Sequence, residues 1–222
     1  IRNMGGLRKY MPITWITFLL GTLALVGTPF FSGFYSKENI IEAAGHANVW
    51  GASFAYYAVL IGVFVTSLYS FRVYFLVFHG KERFDTSDHG HGHDDHAHDD
   101  HGHDDHGHGH HGGKPHESPW VVTLPLILLA IPSVLVGAWA VDPMLFGKFF
   151  NGVITVLPQH PAMHELNEEW HGWVAYGLHA FQTLPFWLVV AGFVIAWYCY
   201  LINPKVPAAI KSSLSGVNKV LE

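Results

Sequence analysis

The sequence predicts an all-α polytopic membrane protein segment with about four transmembrane spans, the first a discontinuous (broken) helix, plus a His-rich cytoplasmic loop. Three observations carry that prediction. Half of the 222 residues are hydrophobic and only 13% are charged, too few charges to cover the surface of a soluble domain. No residue from Pro12 to Tyr35 is charged, and three further apolar runs are long enough to cross the hydrocarbon layer. The first run is interrupted at Gly27-Thr28-Pro29, and Lys37 and Glu38 follow shortly after the interruption.

Residues 1–10 form a basic juxtamembrane loop. The element from Pro12 to about Ala44 covers 33 residues, about 50 Å as one straight helix against about 30 Å of hydrocarbon. A break resolves the mismatch. Pro29 has no N–H for the carbonyl of Leu25 and pushes Thr28 out of the helical region. Thr28 is the expected N-cap of a second helix with Pro29 at its first position. A discontinuous helix with an ionisable residue just past the break is how membrane proteins build ion or proton sites.

Ser53–His79 is the second span, apolar or aromatic apart from Thr66, Ser67, Ser70 and Arg72. The spacing of Thr66 with Ser70, and of Tyr69 with Arg72, predicts one polar stripe. Pro119–Val141 is the third span, with Pro125 and Pro132 as kink positions. Between it and the fourth span, Leu184–Ile202, Met144–Leu157 and Glu165–Gln182 read as interfacial helices. His164, His171 and His179, spaced by seven and eight, would share a helix face and read as interfacial polar residues. Asn203-Pro204 ends the last span, and Lys205–Glu222 begins a polar lateral segment. The organisation is thus 1–84, broken helix and following span; 85–118, loop; 119–202, two spans with an interfacial region; and 203–222. The start at Ile1 and the polar end predict a fragment of a longer polypeptide.

Alternating the sides of four spans puts Arg2, Arg8, Lys9, Lys81, Arg83, Lys114, Lys205, Lys211 and Lys219 on one side and only Lys148 on the other. That asymmetry makes the first side cytoplasmic. Lys37 and Arg72 fall within or beside the spans. A desolvated lysine loses part of its preference for the charged form and can exchange its proton, so Lys37 reads as a proton carrier or as an interfacial anchor. Glu38 lies about 100° around the helix from it, so the two are expected to face different partners. Arg72 stays charged and is either an anchor or the partner of a carboxylate on another helix. Glu38, Glu42 and His46 recur at four-residue steps, as a polar exit stripe or a solvated face. His79 reads as interfacial, with a proton relay as the alternative.

The tract Asp88–His111 repeats His-Asp-Asp-His, at His93–His96, His98–His101 and His103–His106. Imidazoles at this spacing accept several metals without fixing a geometry, so any metal binding there is adventitious and the tract reads as a solvated linker. Cys199 is the sole cysteine, which excludes a disulfide framework. The sequence contains no phosphate-binding glycine loop, dinucleotide fingerprint, cysteine cluster or nucleophile elbow. No cofactor is expected in this chain, and no nucleic-acid partner.

Met4-Gly5-Gly6-Leu7-Arg8-Lys9-Tyr10-Met11-Pro12, followed by Gly27-Thr28-Pro29-Phe30-Phe31-Ser32-Gly33-Phe34-Tyr35-Ser36-Lys37-Glu38, resembles the antiporter-like membrane subunits of respiratory complex I, NADH:quinone oxidoreductase. Thr66-Ser67-Leu68-Tyr69-Ser70-Phe71-Arg72 and Phe78-His79-Gly80-Lys81-Glu82 extend the resemblance, which is loose from about 85 to 183. It implies a C-terminal part of the largest such subunit, in which Lys37 matches the family's lysine on a broken helix placed toward the periplasmic exit. Glu38 stands where many relatives carry an acid. The family's glutamate–lysine pair of the first repeat and its central lysine are not in this sequence. The implied activity is proton transfer from cytoplasm to periplasm, coupled to quinone reduction in other subunits, with the bilayer of a bacterial inner membrane and the neighbouring antiporter-like subunit as partners. A related cation/proton antiporter, a membrane-bound hydrogenase subunit, or a divalent-metal transporter with a His-rich loop are the alternatives.

Overall fold

Pro12 opens the first helix, α1 (Pro12–Val26), at a position that needs no amide donor. The residue before it, Met11, offers no side-chain cap. The orphan amides are satisfied from across the molecule. Glu117 accepts from the backbone N–H of Ile13 through Oε2 at 2.7 Å and from the Thr14 hydroxyl through Oε1 at 2.6 Å. This computed structural model describes residues 4–84, 115–157 and 162–213. The His-rich tract, with His93, His96, His98, His101, His103 and His106, lies outside the described residues, as do Arg2, Lys114 and Lys219 of the charge count.

Gly27, at φ 85°, stops α1: its N–H reaches the Ala24 carbonyl at 3.2 Å, and that of Thr28 reaches Leu23 at 3.0 Å. Glycine adopts this left-handed cap without the clash a Cβ would bring. The next helix does not begin at Thr28–Pro29, which corrects the expected N-cap. Phe31 N–H closes a turn onto Thr28, Phe30 sits at φ 72°, and α2 (Ser32–His46) starts after Phe31. Tertiary packing overrides the local signal, because the Phe30 ring lies hard against Gly177, where a Cβ would come within 2.5 Å of it.

Two contacts set the position of α2. Gly33 lies so close to α1 that a Cβ there would meet the Ala24 carbonyl oxygen at 1.8 Å. Ser32 inserts into the backbone ladder of α4 (Trp120–Val141), donating to the Pro132 carbonyl at 2.7 Å and accepting from Gly137 N–H at 2.8 Å. The serine hydroxyl thereby ties α2 to both a carbonyl and an amide of the α4 backbone, beside the proline that interrupts its ladder.

Helix α3 (Ala52–Tyr74) widens into a π turn through His79, with Gly80 N–H on the Phe75 carbonyl at 2.8 Å. It packs on α7 (Leu184–Trp197), where Ser67 is fully buried and donates to the Val189 carbonyl at 2.7 Å. One apolar cluster joins α3 and α7 to Val26 and Ile41; a second gathers Phe34, Tyr35, Val141, Tyr176 and Ala180. Helix α2 runs between the two. Among the described residues, three helical stretches are long and apolar enough to cross a membrane, Ala52–His79, Trp120–Phe146 and Leu184–Ile202. Pro12–Val26 is apolar but only fifteen residues long, so it spans about 22 Å.

The interfacial region departs from the expected helices. Only Met144–Phe146 of the predicted Met144–Leu157 helix is helical, as the end of a π turn continuing α4. The chain then turns, at Gly147 and at Gly152 (φ 81°), and the β-branched run Val153-Ile154-Thr155-Val156 stays non-helical. The predicted Glu165–Gln182 helix is two helices, α5 (Ala162–Glu169) and α6 (Trp173–His179), followed by a short 3₁₀ turn. Gly172 at φ 92° separates them and leaves His171 in the break, so His164, His171 and His179 share no helix face. After α7 and its terminal π turn, α8 (Lys205–Ser213) completes the described chain.

Gly33→Ala is expected to destabilise the α1–α2 junction by about 1–3 kcal/mol, because the obstacle is backbone that cannot rotate away; thermal unfolding of the intact subunit in detergent measures it. At Glu117 burial disfavours the charge, but the hydrogen bonds from Thr14, Ile13 and Ser118 outweigh it and hold the carboxyl below its usual range. A depressed folded-state value means that this stabilisation is complete above the unfolded value and is lost as pH falls through the folded one. Glu117→Ala is therefore expected to cost about 1 kcal/mol at neutral pH. The gap to wild type should close in acid, read from the same unfolding curves across pH.

Candidate functional site

The cap at Gly27 consumes the carbonyls of Leu23 and Ala24 and leaves those of Leu25 and Val26 without helical partners. Lys37, from the second turn of α2, supplies one: its ammonium donates to the Leu25 carbonyl. Its stem lies over Gly27, where a Cβ would sit 3.5 Å from the lysine Cδ. The half-buried cation thus occupies the C-terminal end of a half-helix, the negative pole of its dipole.

Glu38 points elsewhere. It is 5% exposed and faces the hydroxyl of Thr183, the residue preceding α7. It lines a cavity together with Thr183, Leu184 and Pro185, at the positive pole of α7. Two adjacent ionisable residues, one basic and one acidic, thus sit near two helix ends of opposite polarity.

Glu38 also joins two cavities. The inner one, about 10 Å³, lies between Gly27, Pro29, Lys37, Glu38, Thr183 and Phe186 and is on the scale of a single water. The outer one, about 460 Å³, is lined by Glu38, Glu42, His46 and Tyr56 and reaches the surface at exposed Ser53 and Tyr57. Glu42 accepts a hydrogen bond from the Tyr176 hydroxyl at 2.6 Å, and His46 pairs with Glu165 of α5. Burial, reinforced by the bond to Glu42, pushes the Tyr176 phenol far above its ordinary value, so it remains a donor. The arrangement can hold a cation at the break, an acid beside it, and a second acid on the way out.

The remaining predicted positions separate. Lys37, Glu38, Glu42 and His46 converge on these two cavities. The stripe expected on α3 does not form as one face: Ser70 is buried and Thr66 half-buried, whereas Tyr69 and Arg72 are exposed. Arg72 lies 5.6 Å from the centroid of the Tyr200 ring, a cation–π contact. His79 packs among Trp15, Tyr74 and Phe75 at the opposite end of the bundle from Glu42. Sequence reasoning missed Thr183 and Tyr176. A Thr-x-Pro start before an apolar run could have marked Thr183 as a helix start, but nothing local marks Tyr176.

Residues 1–66 match the family model described as NADH:quinone oxidoreductase/Mrp antiporter, transmembrane. The whole chain is 50% identical over 225 residues to NADH-quinone oxidoreductase subunit L of Neisseria meningitidis serogroup A, covering 32% of that protein. NAD(P)H-quinone oxidoreductase chain 5 of Picosynechococcus is 44% identical over 142 residues, 62% of this chain and 19% of that one. NADH-ubiquinone oxidoreductase chain 5 of Marchantia polymorpha is 34% identical over 167 residues, covering 74% of this chain and 22% of that one. The chain thus spans about a third of the length of the relatives it matches most fully. The break that seats Lys37 lies inside the region matched by the family model, and the match to subunit L runs over the whole sequence: the chain belongs to the antiporter-like membrane subunits of NADH:quinone oxidoreductase.

Proposed function

We propose that this chain supplies the outward half of a proton path in a complex I antiporter-like subunit, delivering protons from the cytoplasmic side to the periplasm. NADH oxidation and quinone reduction belong to other subunits, and energy arrives here through neighbouring buried charge. The setting is a bacterial inner membrane, with the His-rich loop cytoplasmic and the adjacent antiporter-like subunit and lipid as neighbours.

One observation carries the reading: the Lys37 ammonium rests on a carbonyl orphaned by the helix break, next to a cavity that it shares with Glu38. A carbonyl accepts from the protonated amine and gains far less from the neutral one. A change of charge nearby can therefore release the side chain and its proton without dismantling packed structure. Glu38, held at the α7 terminus, tunes that step and receives the outgoing proton. Arg72, exposed and stacked on Tyr200, and His79, at the other end of the bundle, lie outside this path.

A second reading has one observation behind it, since the matching family description also covers Mrp antiporters. A cation/proton antiporter built on the same broken helix would co-purify without NADH-oxidising subunits, and its transport would depend on a metal cation. Co-purification of the intact subunit with NADH-oxidising partners excludes that reading.

In the full subunit, assembled in its complex and reconstituted into vesicles, Lys37→Ala is expected to lower proton pumping roughly tenfold, equivalent to about 1.4 kcal/mol on the barrier, with assembly unchanged. Wild-type turnover and proton yield in that variant would remove Lys37 from the mechanism.

A further inference from the structure

Between Glu38 and the surface the outer cavity presents one more acid on a fixed anchor. We propose that Glu42 is the terminal proton-release group of this path and that Tyr176 is its positioning residue. The proposal rests on the reading of Lys37 and Glu38 given above and extends it to the exit.

Three features of the geometry support it. Glu38 and Glu42 lie one helical turn apart on α2 and line the same cavity of about 460 Å³, roomy and polar enough to hold connected water. Tyr176 donates to Glu42 Oε2 at 2.6 Å, which fixes the carboxylate and leaves Oε1 to take a proton. Tyr176 itself is 7% exposed, packed 5.5 Å from the ring of Phe34 and 5.3 Å from that of Trp170, so its hydroxyl is aimed by the core. A surface carboxylate needs no such mount.

The charges around Glu42 suit a transient proton acceptor. Glu38 and His46 flank it on α2, Glu169 approaches from α5, and His179 and Tyr176 face it from α6, while Tyr56 of α3 lines the shared cavity. Nearby acids favour taking up a proton, and the imidazoles favour giving it back. At the mouth, His46 is tied to Glu165.

The step conserves one proton. An O–H bond of the Glu38 carboxyl breaks as one forms on cavity water, and that water in turn passes a proton to Glu42 Oε1. Glu38 returns to carboxylate. Glu42 then gives its proton to water beside His46 and is itself restored as carboxylate, held by the Tyr176 hydroxyl.

The test uses the full subunit in the assembled complex, reconstituted into vesicles, with pumping recorded across pH beside quinone-coupled turnover and assembly on native gels. Glu42→Gln is expected to lose pumping severalfold, and Glu42→Asp to recover part of it. Tyr176→Phe keeps the ring packing and removes only the hydroxyl; it is expected to move the pH profile of pumping by about half a unit or more, since the hydrogen bond to the charged form is lost. Glu168→Gln, on the exposed side of α5, should pump as wild type. Normal pumping in Glu42→Gln overturns the proposal, and an unmoved pH profile in Tyr176→Phe overturns the role of that hydroxyl. Should Glu42→Gln fail to assemble, a wild-type rate and profile in both Glu42→Asp and Tyr176→Phe would overturn it instead. Lys37→Ala is run in parallel: an effect there with none in Glu42→Gln rejects only the exit assignment, whereas a silent Lys37→Ala rejects the path as a whole.

Discussion

The site depends on a carbonyl that no amide can reach. Once Gly27 turns the chain away, the last carbonyls of α1 are left without a helical donor, and away from water an unpaired polar group is costly. Lys37 answers that need with a donor that also carries an exchangeable proton. The cost of the break and the cost of placing a charge there offset one another. Removing either alone would leave the other uncompensated, which is why break and lysine form one feature rather than two.

Adjacent residues on a helix cannot pair with each other, and the fold uses that constraint. The α1 terminus attracts the cation and the α7 terminus attracts the anion, about 100° apart around α2. Lys37 and Glu38 are thereby kept from collapsing into a direct ion pair, which would lock the proton in place. Between them lies space for about one water. The close approach at Gly33 and the insertion of Ser32 into α4 hold α2 in the register that makes this separation possible.

How much of this could be read from sequence depends on the range of the interaction. The break at Gly27-Thr28-Pro29, the long apolar helices and the convergence of Lys37, Glu38, Glu42 and His46 on one stretch follow from local rules of glycine, proline and helical spacing. The start of α2 is not legible locally, because a Thr-Pro signal points to Thr28 whereas Phe30 adopts a left-handed conformation with its ring on Gly177, far along the chain. The split between α5 and α6 hides as well, since a lone Gly172 is compatible with a helix and its φ of 92° is not written in the local pattern. The cap on α1 is the extreme case. Glu117 lies more than a hundred residues from the amides it satisfies, and no pattern at Met11-Pro12 points to it.

That long-range cap also explains why the first helix can be short. At fifteen residues α1 has one end tied by Glu117 and the other by Lys37, so orphaned backbone groups at each end find a partner contributed by another segment. A half-helix secured at both termini is a rigid mount for a charge, and rigidity is what lets its dipole act on Lys37 without relaxing away. The two carboxylates of the path differ in the same respect. Glu38 is buried against a helix end, whereas Glu42 hangs from a phenol at the edge of an open cavity. In the proposed path the two acids therefore run from enclosed to solvated, an ordering that a row of equivalent carboxylates would lack.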